Sequence, residues 1–393
     1  MTCSLPTRRP LRRKIFFGAL CLLLQLGALE GVVRARAWLR YGSASDDLLR
    51  SFTFCDPAVG LRVPRPNYRL HARNVSVTIN SLGFRGHEIS RERPPRTLRI
   101  ACLGGSTTYC GEASCDEATW PQQLEDELAR IHSDVRVEVV NAGIPGYTLE
   151  ESLKNLERRV LPLEPDLLIY YEANNELCKD SRKVAESRGL VASTEAGPVL
   201  SFLRRSLLFD LLYMNYEIRS ARTDSRAGKL TSLPRDMTAS FEAKLERLRR
   251  TLEARRIPLV LSTFQVKYRH GQARDAQIRN ADVSFFYMPW MTIDALLEGI
   301  DRYNDAIVAF ARAHGLVVAA DRDAVPADAE HFADCMHFHD PGCTVMARRF
   351  AQLLERSGIL EPILARKRCE GLGGPTGCDV LHVLKLEPAG AVP

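Results

Sequence analysis

The chain has 393 residues, with 54 basic and 48 acidic side chains giving a formal net charge of +6. Several of those cations precede an apolar N-terminal run, so the remainder is nearly neutral. No compact basic patch with interleaved aromatics appears, which argues against nucleic-acid binding. Neither a Gly-x-Gly-x-x-Gly fingerprint nor a P-loop is present, so nothing calls for a nucleotide.

The first fourteen residues hold Arg8, Arg9, Arg12, Arg13 and Lys14 and no acid, and an apolar run from Ile15 to Leu29 follows. This pattern addresses the chain to a membrane. Positive charge stays cytoplasmic, so the rest of the protein is expected on the far side, periplasmic or extracellular. Extended through Val33 the run is long enough to span a bilayer, although Glu30 is costly there. Ala35-Arg36-Ala37 resembles a signal-peptide cleavage site. A retained anchor over residues 1–37 is the favoured reading, with a cleaved signal as its alternative.

Residues 38–75 contain Pro64, Pro66 and scattered arginines with little periodicity, and read as a linker. Asn80 to Gly86 (Asn-Ser-Leu-Gly-Phe-Arg-Gly) is expected either to line a substrate mouth or to pack on a sheet edge. Leu98 to Leu103 is a short apolar run that suits a buried parallel strand. It exits through Gly104-Gly105-Ser106, where the glycines permit a sharp turn. Val135–Val140, Asp166–Tyr171, Ile257–Phe264 and Leu316–Ala320 are further strands. Helical patterns cover 120–131, 149–161, 239–254, 293–314 and 344–356. This alternation predicts an α/β fold: a doubly wound parallel sheet of about five strands flanked by helices. With the anchor set aside, about 350 residues remain, enough for one large core with embellishments.

From about 180 to 240 the rhythm is interrupted, and an apolar stretch from Pro198 to Tyr216 marks a helical insertion. It could serve as a lid over the site, lie on the membrane, or pack as ordinary core. Residues 361–393 read as a C-terminal tail.

In a doubly wound sheet the C-terminal strand ends share one face, where ligands bind. Ser106, Gly146, Asn175 and the loop bearing Asp334 and His337 all fall at such ends. An exposed hydroxyl, an imidazole and a carboxylate are the parts of nucleophilic acyl transfer. Ser106 alone would read sooner as a helix cap than as a nucleophile. His337 has the Asp-x-x-His spacing; His339, two residues on, reads as a rim residue. A metal site built from Cys335, His337, His339 and Asp340 lacks a paired Cys-x-x-Cys half-site, so no metal and no cofactor is expected.

Four blocks resemble the SGNH (GDSL-like) hydrolase superfamily over roughly residues 76–357. They are Gly104-Gly105-Ser106-Thr107-Thr108, Asn141-Ala142-Gly143-Ile144-Pro145-Gly146, Ala173-Asn174-Asn175-Glu176 and Asp334-Cys335-Met336-His337. The third block departs from the family, with Ala173 in place of its glycine and two adjacent asparagines. The resemblance implies a flavodoxin-like catalytic domain over 76–360 with Ser106 as nucleophile, His337 as general base and Asp334 as its orienting partner. It implies an oxyanion hole from the N–H groups of Ser106 and Gly146 and the amide of Asn175, with Asn174 as the alternative. The expected activity is an extracytoplasmic serine esterase acting on an O-acyl lipid or carbohydrate. An O-acyltransferase using the same acyl-enzyme, or a non-catalytic glycan- or partner-binding protein, are the other readings.

Eleven cysteines fit an exported domain, where disulfides are plausible. Cys102 reads as a core thiol. Cys369 and Cys378 bracket a Gly/Pro-rich loop and are the first expected pair, and bridges among Cys110, Cys115, Cys178, Cys335 and Cys343 would stiffen the site.

Overall fold

The computed structural model describes residues 9–41, 52–72, 75–191, 198–221 and 228–370. A long N-terminal helix, α1 (Arg9–Tyr41), carries the apolar run. Its segment Arg13–Leu39 is long and apolar enough to cross a membrane. Two antiparallel hairpins come next: β1 (Thr53–Asp56) with β2 (Leu61–Pro64), and β3 (Arg69–Ala72) with β4 (Val75–Thr78). The expected linker is thus largely structured. Its strands are four residues each, and Val75 and Val77 alternate with polar neighbours, so half of each strand packs while half faces outward.

Five strands make the central sheet: β5 (Thr97–Gly104), β6 (Arg136–Gly143), β7 (Leu167–Tyr171), β8 (Leu259–Ser262) and β9 (Val317–Ala319). Their order is β6-β5-β7-β8-β9 and every pairing is parallel. This is the doubly wound α/β sheet that the alternation predicts. Every residue of β5, β7 and β8 is buried, because helices cover both faces. The chain reverses its direction of winding between β5 and β7, where such sheets bind ligands.

The helices begin where local chemistry satisfies their free N–H groups. After a single turn, α2 (Ser106–Tyr109), comes α3 (Trp120–Ile131), capped by the Thr119 side chain with Pro121 in its first turn. Next is α4 (Leu149–Asn155), which opens with a capping box between Thr148 and Glu151. The helix expected over 149–161 changes character after Asn155, into a π-turn over Leu156–Val160 and a 3-10 turn over Leu161–Leu163. Pro162 cannot supply an N–H to a continuing α-helix. The altered turn lets Arg159 hydrogen-bond Asn155 Oδ1 and the carbonyls of Leu82 and Gly83.

Then follow α5 (Asn174–Ser187), α6 (Pro198–Leu203), α7 (Leu207–Ala221), α8 (Ala239–Glu253), α9 (Arg274–Asn280), α10 (Asp282–Tyr287) and α11 (Ile293–Ala313). In α8, Phe241, Leu245, Leu248 and Leu252 form one buried stripe at helical spacing. The chain continues to α12 (Asp340–Arg356) and α13 (Glu361–Cys369). Thus the expected tail starts with a helix, which packs beneath β5. Lys367, wholly buried, lies 2.7 Å from Asp166 Oδ1 at the base of the sheet. A second buried pair, Arg99 with Glu138, ties β5 to β6 at 2.7 Å.

Cysteines depart from expectation. Among the described residues every cysteine is a free thiol. Cys102, Cys110, Cys335 and Cys343 are buried and pack as small apolar groups. Cys110 and Cys343 are neighbouring thiols without a bridge, and Cys110 Sγ donates to the carbonyls of Thr107 and Thr108 at 3.5 and 3.4 Å. Cys378 lies outside the described residues, and its pairing with Cys369 with it.

Candidate active site

Ser106 lies two residues past the end of β5, after Gly105, and is the first of α2. Its N–H therefore has no partner within its own helix. Glycine is required just before it: a Cβ on Gly105 would collide with Glu172 Oε2 and lie 2.7 Å from Asn175 Nδ2. Ser106 Oγ is 2.7 Å from His337 Nε2. The other ring nitrogen, Nδ1, is 2.6 Å from Asp334 Oδ2. Asp334 Oδ1 in turn accepts the N–H groups of Met336 and His337 at 2.8 and 2.9 Å. One tight turn thus fixes both side chains, and the three-residue spacing follows from it. A carboxylate held on Nδ1 directs the free lone pair of a neutral imidazole to Nε2, toward the serine.

Burial alone would lower the His337 pKa. The hydrogen bond and charge of Asp334 outweigh it and leave the imidazole above its ordinary 6.5. For Asp334 burial works upward, and the His337 contact brings the carboxylate below its usual range.

Gly146 and Asn175 come to the same place. Gly146 sits in a turn at φ +81°, a left-handed conformation that favours glycine, and borders the cavity beside Ser106. Asn175 donates through Nδ2 to Tyr147 O at 2.9 Å, and its backbone N–H is bound by Glu172 Oε1 at 2.7 Å. A side-chain amide has two N–H bonds, so one remains for the cavity. Asn174, the alternative, is buried with an unpartnered Oδ1 and also borders the cavity. Its neighbour Asn175, not Asn174, is the one whose amide approaches Gly105. His339 stands exposed at the rim, and its N–H binds His331 O at 3.0 Å. Among the described residues no group of three His, Cys, Asp or Glu could hold a metal ion.

Three contributions escape a reading by motif. The first is Glu172, wholly enclosed directly after β7, whose carboxyl burial pushes up to about 8 with a further rise from Glu176. An acid following five buried strand residues is the signal that points to it. The second is Arg85, from the segment expected at the mouth or the sheet edge. Its guanidinium is buried under α2, where it bonds Asp116 Oδ1 at 2.8 Å and the carbonyls of Tyr109 and Cys110 at 3.0 and 2.5 Å. It neutralises the C-terminal end of the turn that carries Ser106. The third is the apolar wall of the cavity, Phe52, Tyr68, Leu70, Val75 and Val77, contributed by the hairpin region. The alternation at Val75 and Val77 is its trace in the sequence. The cavity measures about 910 Å³, and Glu112, Glu330, His339 and Asp340 also line it.

The profile of the GDSL-like lipase/acylhydrolase family matches residues 102–345, which takes in the end of β5, the Ser106 turn and the His337 loop. The chain belongs to that family. Comparison with curated proteins finds no significant match. Among solved structures, the chain is similar to a catalytic mutant of an acetylxylan esterase from Geobacillus stearothermophilus at 16% identity and a TM-score of 0.39, covering 65% of this chain and 94% of that one. It is also similar to a lipase/acylhydrolase from Enterococcus faecalis at 17% identity and a TM-score of 0.38, covering 66% of this chain and 96% of that one.

Proposed function

We propose that this family member is an extracytoplasmic serine esterase that cleaves an O-acyl ester through an acyl-Ser106 intermediate. The observation that carries the reading is the continuous relay from Ser106 Oγ through His337 to Asp334, at 2.7 and 2.6 Å. Ser106 Oγ attacks the ester carbonyl carbon while His337 Nε2 takes its proton. The carbonyl oxygen, now negative, is met by the N–H groups of Ser106 and Gly146 and the free amide N–H of Asn175. Preorganised donors of this kind contribute about 3–4 kcal/mol each to the transition state. Collapse expels the alcohol, protonated by His337, and leaves the acyl group on Ser106. Water, deprotonated by the same imidazole, then releases the acid.

Glu172 fits this scheme as a carboxyl that burial keeps largely protonated at neutral pH. A full negative charge beside the oxyanion donors would oppose the intermediate; a neutral carboxyl does not. The mixed apolar and polar lining supports a substrate with an apolar acyl part against Phe52, Leu70 and Val77 and a polar alcohol part toward Glu112 and Asp340. The basic cluster before α1 supports an N-terminus on the cytoplasmic side and a domain beyond the membrane.

The full-length chain, supplied with p-nitrophenyl esters and a fluorophosphonate, tests this. Wild type should turn over ester and label at Ser106, and Ser106→Ala and His337→Ala should each lose at least ~10³-fold in kcat. Equal background turnover in all three would reject catalysis. Mass analysis of products with a soluble glycan acceptor present separates transfer to a sugar hydroxyl from hydrolysis.

A further inference from the structure

α1 does not stand apart from the folded domain. Of residues 13–39, all but four are exposed; the exceptions are Glu30, Val33, Arg34 and Ala37. Their spacing of three and four places them on one helical face. That face meets α7 and β3. Glu30 caps α7: its carboxylate accepts the N–H groups of Leu207 and Leu208 at 3.0 and 2.9 Å and the hydroxyl of Ser206 at 2.8 Å. Arg34 closes the cluster, donating to Glu30 Oε1 at 2.7 Å and to Arg205 O at 3.1 Å.

The position of this clasp along α1 fixes its depth. Fifteen residues separate Ile15, the start of the apolar run, from Glu30, which is about 22 Å of helix rise. Arg34 comes about 6 Å later, so the clasp lies at the outer boundary of an apolar layer about 30 Å thick. An acid inside that layer is costly unless it is bonded, and the α7 N-terminus bonds it. The elements brought to this level are themselves apolar on their free side. Val199, Phe202 and Leu203 of α6 and Leu211, Leu212 and Tyr216 of α7 are all exposed, while α7 packs on α10 and α1. Trp38, exposed near the end of α1, suits the same headgroup level.

We propose that α1 remains on the mature protein and that α6 and α7, clasped to it through Glu30, form a second membrane-contact surface whose partner is the lipid bilayer at its headgroup–acyl boundary. Cleavage at Ala35-Arg36-Ala37 would remove the carboxylate that caps α7. The same geometry brings the site to the bilayer. Leu70 of β3 and Tyr287 of α10 border the cavity, and these are the two elements touching α1 and α7.

The test uses the full chain reconstituted in phosphatidylcholine–phosphatidylglycerol bilayers carrying a diazirine on the acyl chain, with lipid adducts mapped by peptide mass spectrometry after irradiation. Adducts are expected both in 15–33 and in 199–216. In Glu30→Leu, which inserts at least as well, adducts in 199–216 should fall three-fold or more while those in 15–33 persist. Fluorophosphonate labelling of Ser106 in that variant checks that the catalytic domain stays folded. In Phe202→Glu/Leu212→Glu the loss at 199–216 should recur with Glu30 intact. Adducts confined to 15–33, an unchanged yield in Glu30→Leu, or a mature chain beginning near residue 38 would each overturn the proposal. Ser106→Ala should give the wild-type adduct map, so failure of catalysis leaves this result readable.

Discussion

At His337, enclosure and a carboxylate act in opposite directions, and the carboxylate prevails. In the proposed mechanism only the neutral imidazole accepts the serine proton, so activity should fall as pH drops through this raised value. Removing the charge while keeping the shape, as Asp334→Asn does, should move the acidic limb of kcat/KM to lower pH. The same change should lower kcat on the order of 10³–10⁴-fold, because the amide presents the wrong donor pattern to Nδ1. pH–rate profiles of the two proteins read both effects; an unmoved limb would mean that Asp334 does not govern the base. The pair was legible from its three-residue spacing, because a single turn must hold both groups. Glu172 leaves only the trace of an acid after a buried strand, because its contact with Asn175 is set by the fold and not by any motif.

Four residues of helix, too few to hold their shape alone, present Ser106, the proposed nucleophile. The α2 turn is secured from outside: Trp120 Nε1 donates to Thr107 O at 3.0 Å and Thr108 Oγ1 to Tyr171 O at 3.0 Å, with Arg85 beneath. Arg85→Met should therefore destabilise the protein by about 3–5 kcal/mol, since it leaves Asp116 without its buried partner. Denaturant unfolding measures that loss, and Arg85→Lys should recover only part of it because an ammonium lacks the fork that reaches Asp116 and both carbonyls. Strands β5, β7 and β8 were readable because burial on both faces makes them largely apolar, with Arg99 the charged exception in β5. The hairpins were not: four-residue strands interrupted by Arg62, Pro64, Pro66 and Arg69 leave too short an alternation to separate from irregular chain. The end of α4 at Asn155 is likewise decided by packing, where Arg159 reaches back to Leu82 and Gly83.

Across the molecule, the face of the sheet opposite the site is closed by charge. Asp166 immediately precedes β7, accepts Arg99 N–H at 3.0 Å, and holds Lys367 and Arg366 of α13. Lys367→Met should lower stability by about 3 kcal/mol, because a buried carboxylate keeps only its more exposed partners. Thermal unfolding would report it, and the Ser106 label should persist below the new midpoint because the site lies at the other strand ends. The α/β class was evident from strand–helix alternation alone. The helical character of residues 361–369 was hidden by their charge and by the Gly/Pro-rich sequence that follows.

The wall formed by β3 and β4 lies outside the five-stranded sheet, and none of the residues that transfer protons or bind the oxyanion belongs to it. On the proposed reading, recognition of the acyl chain and chemistry on it are therefore written in separable stretches of the gene. Substitutions at Leu70, Val75 or Val77 can reshape what the enzyme accepts without disturbing how it reacts. A lineage could change its diet there while its catalytic apparatus stays untouched.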